Sequence, residues 1–239
     1  EYAMRYGAPS VASVLDALRA QRCERILVVP LYPQYAASTT ASVFDAVSGH
    51  FAKCRNVPEL RFVRSFHDHP GYIKALAASI GEHWMKHGRA DKLVMSFHGV
   101  PERTLMLGDP YHCECHKTAR LLAEKLGLAK DAYTVTFQSR FGKAKWLEPY
   151  TEPTLRALAA QGVQRVDRHV EHAAQALGRD AARQQFFCDS GSGFASNDAR
   201  DRSHLRQVHR WNSSLSPRHS VGGAGACHAI RDFQQGPSR

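Results

Sequence analysis

One histidine at the end of an apolar run has the position and the chemistry of a reactive residue. Residues 92–97 (KLVMSF) form a short apolar run that is typical of a strand buried on both faces. His98 follows the run, and Gly99 and Pro101 prevent its continuation as strand or helix. In open α/β sheets, ligands bind beside the carboxyl ends of strands. An imidazole there can accept a proton or bind a metal ion near neutral pH; the alternative is a histidine with only a structural role.

Two histidines and two cysteines lie close together a little further along the chain. His112 and His116 flank Cys113 and Cys115, but four ligands within five residues cannot all reach one ion. The chain contains no second cysteine pair with C-x-x-C spacing. We therefore interpret the segment as the start of a helix, preceded by a turn in which Asp109 acts as a cap.

Two other segments place polar side chains after predicted strands. Gln138 and Ser139 end a strand as His98 does, so they are candidates for the same crevice. Residues 32–40 (YPQYAASTT) form a loop rich in hydroxyls, suited to binding the polar rim of a ligand. Ordinary solvation of the loop is the alternative.

Strands and helices alternate along most of the chain. Apolar positions at helical spacing predict helices over residues 11–21, 42–51, 71–87, 115–126 and 153–161. Apolar or alternating runs predict strands over residues 25–31, 60–66, 92–97 and 133–138, with a further strand opening over 162–167. This alternation predicts an α/β fold with one or two parallel sheets.

The character of the chain changes after Asp167. From Arg168 onward there is no lysine, arginine, histidine and serine are frequent, and Ile, Leu and Val are sparse. Such a composition buries too little apolar surface to offset the entropy of ordering, so we expect disorder or at most a short helix over residues 168–239. Because the change falls within a predicted strand, we hypothesise an out-of-frame translation. A basic tail that binds nucleic acid is the alternative, although its arginines show neither a repeat nor interleaved aromatics.

The overall composition limits the class of protein. The formal net charge of +10 favours acidic partners, such as nucleic acid, anionic lipid or a ligand with carboxylates. No apolar stretch reaches the length of a membrane span, and no signal peptide opens the chain. Six cysteines without disulfide-framework spacing favour a reducing cytosol. The chain begins at Glu1, in a segment that reads as a helix, so we expect it to be truncated at its amino end.

Several motifs, in order and at matching spacing, resemble those of ferrochelatase, the enzyme that inserts ferrous iron into a porphyrin in the last step of haem synthesis. They are M-R-Y-G from Met4, P-L-Y-P-Q-Y-A-A-S-T-T from Pro30, S-F-H-G-V-P-E-R from Ser96, G-D-P-Y from Gly108, F-Q-S-R-F-G from Phe137 and K-W-L-E-P-Y-T from Lys145. The resemblance covers residues 1 to about 167 and then stops. It implies two Rossmann-like lobes with parallel sheets, both incomplete: residues 1–75 and 76–167, followed by the tail 168–239.

The resemblance also implies roles for individual residues. The position of His98 is assigned to proton abstraction, metal handling or both. The remaining matched positions line the porphyrin pocket and are Arg5, Tyr6, Tyr32, Ser38, Thr39, Gln138, Ser139 and Trp146. Without the family, an Arg-Tyr pair is unremarkable and a tryptophan is more often a core residue.

One part of the family pattern is missing. Ferrochelatases pair the histidine with a glutamate in a later segment of the type G-F-x-x-D-x-x-E-T, and no such segment occurs in this chain. We therefore expect this chain to be inactive or severely impaired. The alternatives are a porphyrin-binding remnant without turnover and a related chelatase for another divalent metal.

The resemblance implies a cytoplasmic protein that acts on a porphyrin and takes Fe²⁺ as a substrate. We expect no tightly bound cofactor and no iron–sulfur cluster, because four suitable cysteines are not evident. We expect a monomer that does not bind nucleic acid, and peripheral contact with a membrane is compatible with the positive charge.

Overall fold

The computed structural model describes residues 1–170 and the strand at 183–189. Within these residues, six helices are formed: α1 (Val11–Ala20), α2 (Ser42–Phe51), α3 (Pro70–His87), α4 (Glu102–Met106), α5 (Tyr111–Leu126) and α6 (Thr151–Ala160). The strands of the same residues are β1 (Tyr2–Met4), β2 (Arg25–Pro30), β3 (Glu59–Phe62), β4 (Lys92–His98), β5 (Tyr133–Gln138), β6 (Val166–Val170) and β7 (Arg183–Asp189). A π-helical turn, Ala37–Ala41, leads into α2.

The strands form two sheets. The first has the order β1-β7-β2-β3, in which β2 and β3 are parallel and β7 is antiparallel to both β1 and β2. The second has the order β5-β4-β6, and all of its pairs are parallel. The predicted α/β fold with parallel sheets is therefore confirmed.

The first sheet is covered by α1 and α2. Ser10 caps α1 by accepting a hydrogen bond from the Ser13 amide at 3.1 Å. The apolar faces of both helices pack on β2 in one buried cluster that includes Leu15, Ile26 and Val43. Tyr32, in the loop after β2, also packs against this cluster.

The second sheet carries His98 and Gln138 of the site described below. Its central strand, β4, is buried from Leu93 to Phe97, because β5 and β6 flank it and helices α3 and α5 pack on its face. On the sheet, three buried hydroxyls satisfy one another: Thr151 Oγ1 lies 2.9 Å from Ser96 Oγ and donates to Thr136 Oγ1 at 2.9 Å. This chain of hydroxyls ties the start of α6 to β4 and β5.

Four elements differ from the sequence-based expectations. Residues 2–4 are a strand and not part of a helix, because they pair with β7, some 180 residues away in sequence. Helix α5 begins at Tyr111, four residues before the predicted start. The short helix α4 was not predicted. The strand that opens after Gly162 does form, as β6, and extends to Val170.

The tail predicted to be irregular begins inside β6. The strand β7 also falls within it, so for residues 183–189 the expectation of disorder or a short helix was wrong. A strand edge of β2, which the local sequence of the tail does not encode, supplies its hydrogen-bonding partners. The remaining residues of the tail lie outside the described part of the chain. The frameshift hypothesis concerns those residues, so it stays a hypothesis. The boundary predicted near residue 75 falls inside α3, whose apolar face packs on the second sheet; the three-part division stays a prediction.

Two further observations bear on the class of protein. None of the described helices combines the length and the apolar character needed to cross a bilayer. Cys54, Cys113 and Cys115 are not disulfide-bonded, whereas Cys23 is, which the cysteine spacing did not predict.

Candidate active site at the strand ends

His98 is the first exposed residue after five buried ones in β4. Its Nδ1 atom lies 2.8 Å from the carbonyl oxygen of Gly99. A carbonyl oxygen only accepts hydrogen bonds, so Nδ1 must carry the proton. In the neutral ring, Nε2 therefore presents its lone pair, and it has no partner among the residues that the structure describes. A histidine in this tautomer can act as a base or as a ligand through Nε2.

Gln138 and Ser139 lie beside His98, as the sequence predicts. In the parallel register of β4 and β5, Gln138 is directly opposite His98. The Gly99 amide donates to the Gln138 carbonyl at 2.7 Å, which brings the two backbones together as they leave the sheet. Ser139 then turns the chain with a φ of 68°, a left-handed conformation that costs a serine free energy.

Trp146 forms a wall on the other side of Gly99. It is buried, and its Cε3 atom would lie 3.2 Å from a Cβ at position 99. Its Nε1 donates to the Phe141 carbonyl at 3.0 Å, and its ring lies 4.8 Å from that of Phe141, which is exposed. The indole ring is therefore fixed by a hydrogen bond at its Nε1 and by the ring contact with Phe141.

A cavity of about 510 Å³ opens beside these residues. Three of the predicted site residues, Gln138, Ser139 and Trp146, line it together with Gly99. His98 is not among the lining residues; it lies one residue before that wall. Two arginines, Arg140 and Arg168, also line the cavity. The start of α6 lines it through Tyr150, Thr151 and Glu152.

The other predicted residues lie on the first sheet. Arg5 donates through Nε to the Ser42 carbonyl at 2.8 Å, and its guanidinium lies 4.6 Å from the centre of the Tyr6 ring. Tyr6 is 71% exposed, so this cation–π pair faces solvent. Tyr32 is half-buried against the core of the first sheet.

Ser38 and Thr39 belong to the π-helical turn. Thr39 Oγ1 donates to the Ala36 carbonyl at 3.2 Å, whereas Ser38 is exposed. Single π-turns inside helical segments are frequent at functional sites. Ser38 is therefore available to a ligand, and the hydroxyl of Thr39 is used within the turn.

Hydrogen bonds from the G-D-P-Y segment and from Glu114 connect the residues near His98 with the loop that carries Ser38 and Thr39. The sequence analysis does not predict these hydrogen bonds. Tyr111 donates its hydroxyl proton to the His98 carbonyl at 2.9 Å. Asp109 Oδ2 accepts from the Ala37 amide at 2.7 Å, and Glu114 Oε2 accepts from the Tyr35 amide at 2.7 Å. A signal was available for Glu114, since it is an acid on the apolar face of an amphipathic helix, where an unpaired charge would be costly.

The carboxylate of Glu114 is buried, with 9% of its side chain exposed, but it is surrounded by donors and positive charge. Arg64 Nη1 lies 3.3 Å and His67 Nδ1 3.2 Å from its oxygens. Burial alone would raise the pKa of Glu114. The contacts with His67, the Tyr35 amide and Arg64 outweigh burial and hold its pKa below the ordinary value.

The His–Cys cluster takes the form of a helical turn. Cys115 is fully buried in the core and Cys113 is exposed, so the two thiols face different sides of α5. The rings of His112 and His116 lie 4.5 Å apart, and burial, together with His112, lowers the pKa of His116. In the described part of the chain, no group of three or more His, Cys, Asp or Glu side chains could hold a metal ion.

Comparison with known proteins identifies the family. The ferrochelatase family model matches residues 1–169. The chain belongs to the ferrochelatase family. The match ends close to Asp167, where the sequence predicts that the family pattern stops.

Curated ferrochelatases agree with this assignment. The chain is 65% identical over 167 residues to the ferrochelatase of Aromatoleum aromaticum, and 70% identical over 167 residues to that of Azoarcus sp. strain BH72. In both cases the match covers 70% of this chain and 46% of the relative. With the ferrochelatase of Methylibium petroleiphilum, identity is 71% over 165 residues, covering 69% of this chain and 46% of the relative. The chain thus spans a little under half the length of these ferrochelatases.

Proposed function

We propose that this chain carries the histidine side of a ferrochelatase site, in which ferrous iron is inserted into a porphyrin, converting protoporphyrin IX to protohaem in haem biosynthesis. The observation that carries the proposal is the state of His98. Its Nδ1 is committed to the Gly99 carbonyl, which leaves the Nε2 lone pair at an exposed strand end. Membership of the family supports the choice of reaction.

The proposed chemistry has simple requirements. Two pyrrole N–H protons must leave the porphyrin while the metal ion enters from one face. His98 Nε2 accepts a proton or contacts the incoming iron, and Trp146, which lines the cavity, is assigned to packing against the macrocycle. Arg5 and Tyr6 are assigned to the porphyrin's polar rim, together with the exposed hydroxyl of Ser38.

The missing glutamate motif favours slow turnover. A single general base contributes about 10²–10⁴-fold to a rate, and the family pattern pairs His98 with a carboxylate that this sequence lacks. The same absence supports a second candidate function, a porphyrin-binding remnant that does not insert metal.

The proposal extends to partners and location. Iron is the substrate, and no tightly bound cofactor or iron–sulfur cluster is included, because Cys113 and Cys115 face different sides of their helix. The porphyrin is the only organic ligand in this proposal, and the protein is a monomer in the cytoplasm. Its positive charge is available for peripheral contact with anionic lipid.

The test compares two histidine variants of the 239-residue chain. His98→Ala removes the proposed base, and His87→Ala removes an exposed histidine at the end of α3, five residues before β4 begins at Lys92. Binding of protoporphyrin IX is followed by its absorbance shift. Metal insertion is followed by metalloporphyrin formation under anaerobic conditions with excess ferrous iron.

We expect the unmodified chain and His87→Ala to bind porphyrin and insert iron at equal, low rates. His98→Ala should bind porphyrin but insert iron about 10²–10⁴-fold more slowly. Binding without any insertion by the unmodified chain would favour the remnant. Equal insertion rates in His98→Ala and the unmodified chain would refute the role of His98.

A further inference from the structure

Two carboxylates on the segment after His98 hold the loop that carries Ser38 and Thr39. Asp109 Oδ2 accepts from the Ala37 amide and Glu114 Oε2 from the Tyr35 amide, both at 2.7 Å. These amides flank Ala36, which is buried, at the entrance to the π-helical turn. Short bonds from N–H groups to ionised oxygens are among the stronger hydrogen bonds in proteins.

Asp109 uses each of its oxygens for a different task. While Oδ2 holds the loop, Oδ1 accepts from the Tyr111 amide at 3.0 Å and so caps the first turn of α5. The hydroxyl of Tyr111 in turn donates to the His98 carbonyl at 2.9 Å. One continuous set of hydrogen bonds therefore runs from the loop, through Asp109, to the backbone of His98.

Glu114 adds a second, buried attachment one turn further along α5. Arg64 and His67, from the segment after β3, contact its oxygens at 3.3 and 3.2 Å. Beside it, Gln34 donates to Thr118 Oγ1 at 3.1 Å. The two carboxylate contacts and the Gln34–Thr118 hydrogen bond together hold the loop against α5, so loss of one contact weakens the attachment.

The two carboxylates contact the loop only through its backbone amides, at Tyr35 and Ala37. Neither Asp109 nor Glu114 uses a side chain of residues 35–41, so the exposed hydroxyl of Ser38 is left for a ligand. A Gly at position 37 would keep the backbone amide that Asp109 contacts. The two carboxylate contacts fix the position of the loop and leave the side chain of Ser38 available to a ligand.

We propose that Asp109 and Glu114 are positioning residues that set the distance between the Ser38–Thr39 turn on the first sheet and His98 on the second, and thereby the width of the porphyrin site. This inference rests on the proposed function. It assigns neither residue a contact with the substrate: both act through the backbone of the loop. Loss of either should loosen porphyrin binding even when the chain remains folded.

The test uses the full 239-residue chain with three variants. Asp109→Ala removes one loop contact, and Glu114→Gln removes the charge of the other while keeping its size. The matched control is Asp68→Ala, which breaks the exposed ion pair between Asp68 and Lys117 of α5, 2.5 Å in length, without touching the loop. Amide hydrogen exchange of residues 35–41 and titration with protoporphyrin IX are measured at a temperature where circular dichroism shows each variant to be folded.

We expect Asp109→Ala to speed exchange of the Ala37 amide and to weaken porphyrin binding, each by about tenfold to a hundredfold, the equivalent of one charge-assisted hydrogen bond. Glu114→Gln should show a smaller effect of the same kind, and Asp68→Ala none. Unchanged porphyrin affinity in folded Asp109→Ala would overturn the positioning role alone. Absence of porphyrin binding by the unmodified chain would instead refute the proposed function, and the exchange data would still report whether Asp109 holds the loop.

Discussion

Replacing Gly99 by alanine should destabilise the protein through one close contact. An added Cβ would lie 2.8 Å from the Gln138 carbonyl oxygen and 3.2 Å from Trp146 Cε3. The oxygen is backbone and already accepts the Gly99 amide proton at 2.7 Å, so it cannot retreat without breaking the link between β4 and β5. A glycine is needed here because of its size.

The magnitude follows from two terms. Forcing a methyl group into a closely packed site costs about 1–3 kcal/mol. Weakening the hydrogen bond between Gly99 and Gln138 costs about 1 kcal/mol more. We therefore expect the free energy of unfolding to fall by about 2–4 kcal/mol, which at a typical urea dependence lowers the denaturation midpoint by about 1–2 M.

The assay is urea denaturation followed by far-ultraviolet circular dichroism, with Gly81→Ala as the matched control. Gly81 lies within α3, and a Cβ there meets nothing within 4 Å. Alanine is the better helix former, so this variant should gain about 0.5–1 kcal/mol. If Gly99→Ala unfolds at the same urea concentration as the unmodified chain, the close approach of the two strand ends is wrong.

Three further predictions concern single side chains. Asp167 Oδ2 accepts from Trp84 Nε1 at 2.7 Å and from the Ala90 amide at 3.2 Å, so Asp167→Ala should cost about 1–3 kcal/mol in urea denaturation, and Asp167→Asn less. Ser139 has a φ of 68°, so Ser139→Gly should raise the urea midpoint by the equivalent of about 0.5–1 kcal/mol. The lowered pKa of Glu114 implies stability that is present above the ordinary glutamate pKa and is lost as the pH falls through the folded-state pKa. The charged and titratable groups that face it are Arg64 and His67. Glu114→Gln should accordingly unfold more easily than the unmodified chain at pH 7, and this difference should shrink on acidification; a pH-independent difference would contradict the assignment.

The sequence was sufficient to place His98 because the signal is local. A short apolar run that ends at Gly99 and Pro101 is typical of a strand buried on both faces, and the glycine marks the end of the strand. The same reasoning placed Gln138 at the end of β5. What the sequence could not show is that these two ends lie close enough for Gly99 to be required by the Gln138 carbonyl, since strand order and register depend on the whole sheet.

The elements that were missed depend on distant partners. Residues 2–4 show no periodicity that distinguishes strand from helix, and they become β1 only because β7 offers an edge. The roles of Asp109 and Glu114 toward the loop were missed because their ligands are backbone amides, which leave no trace in the identity of Tyr35 or Ala37. An acid on the apolar face of a helix, as at Glu114, is the one sequence feature that indicates such a contact.

Different segments provide His98 and its predicted carboxylate partner, so the contribution of each can be tested separately. Strand β4 is flanked on both sides by β5 and β6 and covered by α3 and α5, so these elements hold the imidazole at the strand end without the missing carboxylate. The resemblance implies that a glutamate motif of the type G-F-x-x-D-x-x-E-T supplies this partner, and the sequence contains no such segment. If its absence is what slows iron insertion, a small carboxylate added in solution should restore part of the rate.

Acetate and formate, titrated at constant ionic strength and pH, should therefore speed metalloporphyrin formation by the unmodified chain in a saturable manner, with chloride as the control anion. His98→Ala should not respond to acetate, because the residue that accepts the first proton is gone, but should respond to imidazole. The cavity of about 510 Å³ beside Gly99 offers ample room for either molecule near the strand ends. Acceleration of His98→Ala by acetate as large as that of the unmodified chain would show that the carboxylate acts without His98, contrary to the pairing argued for this site.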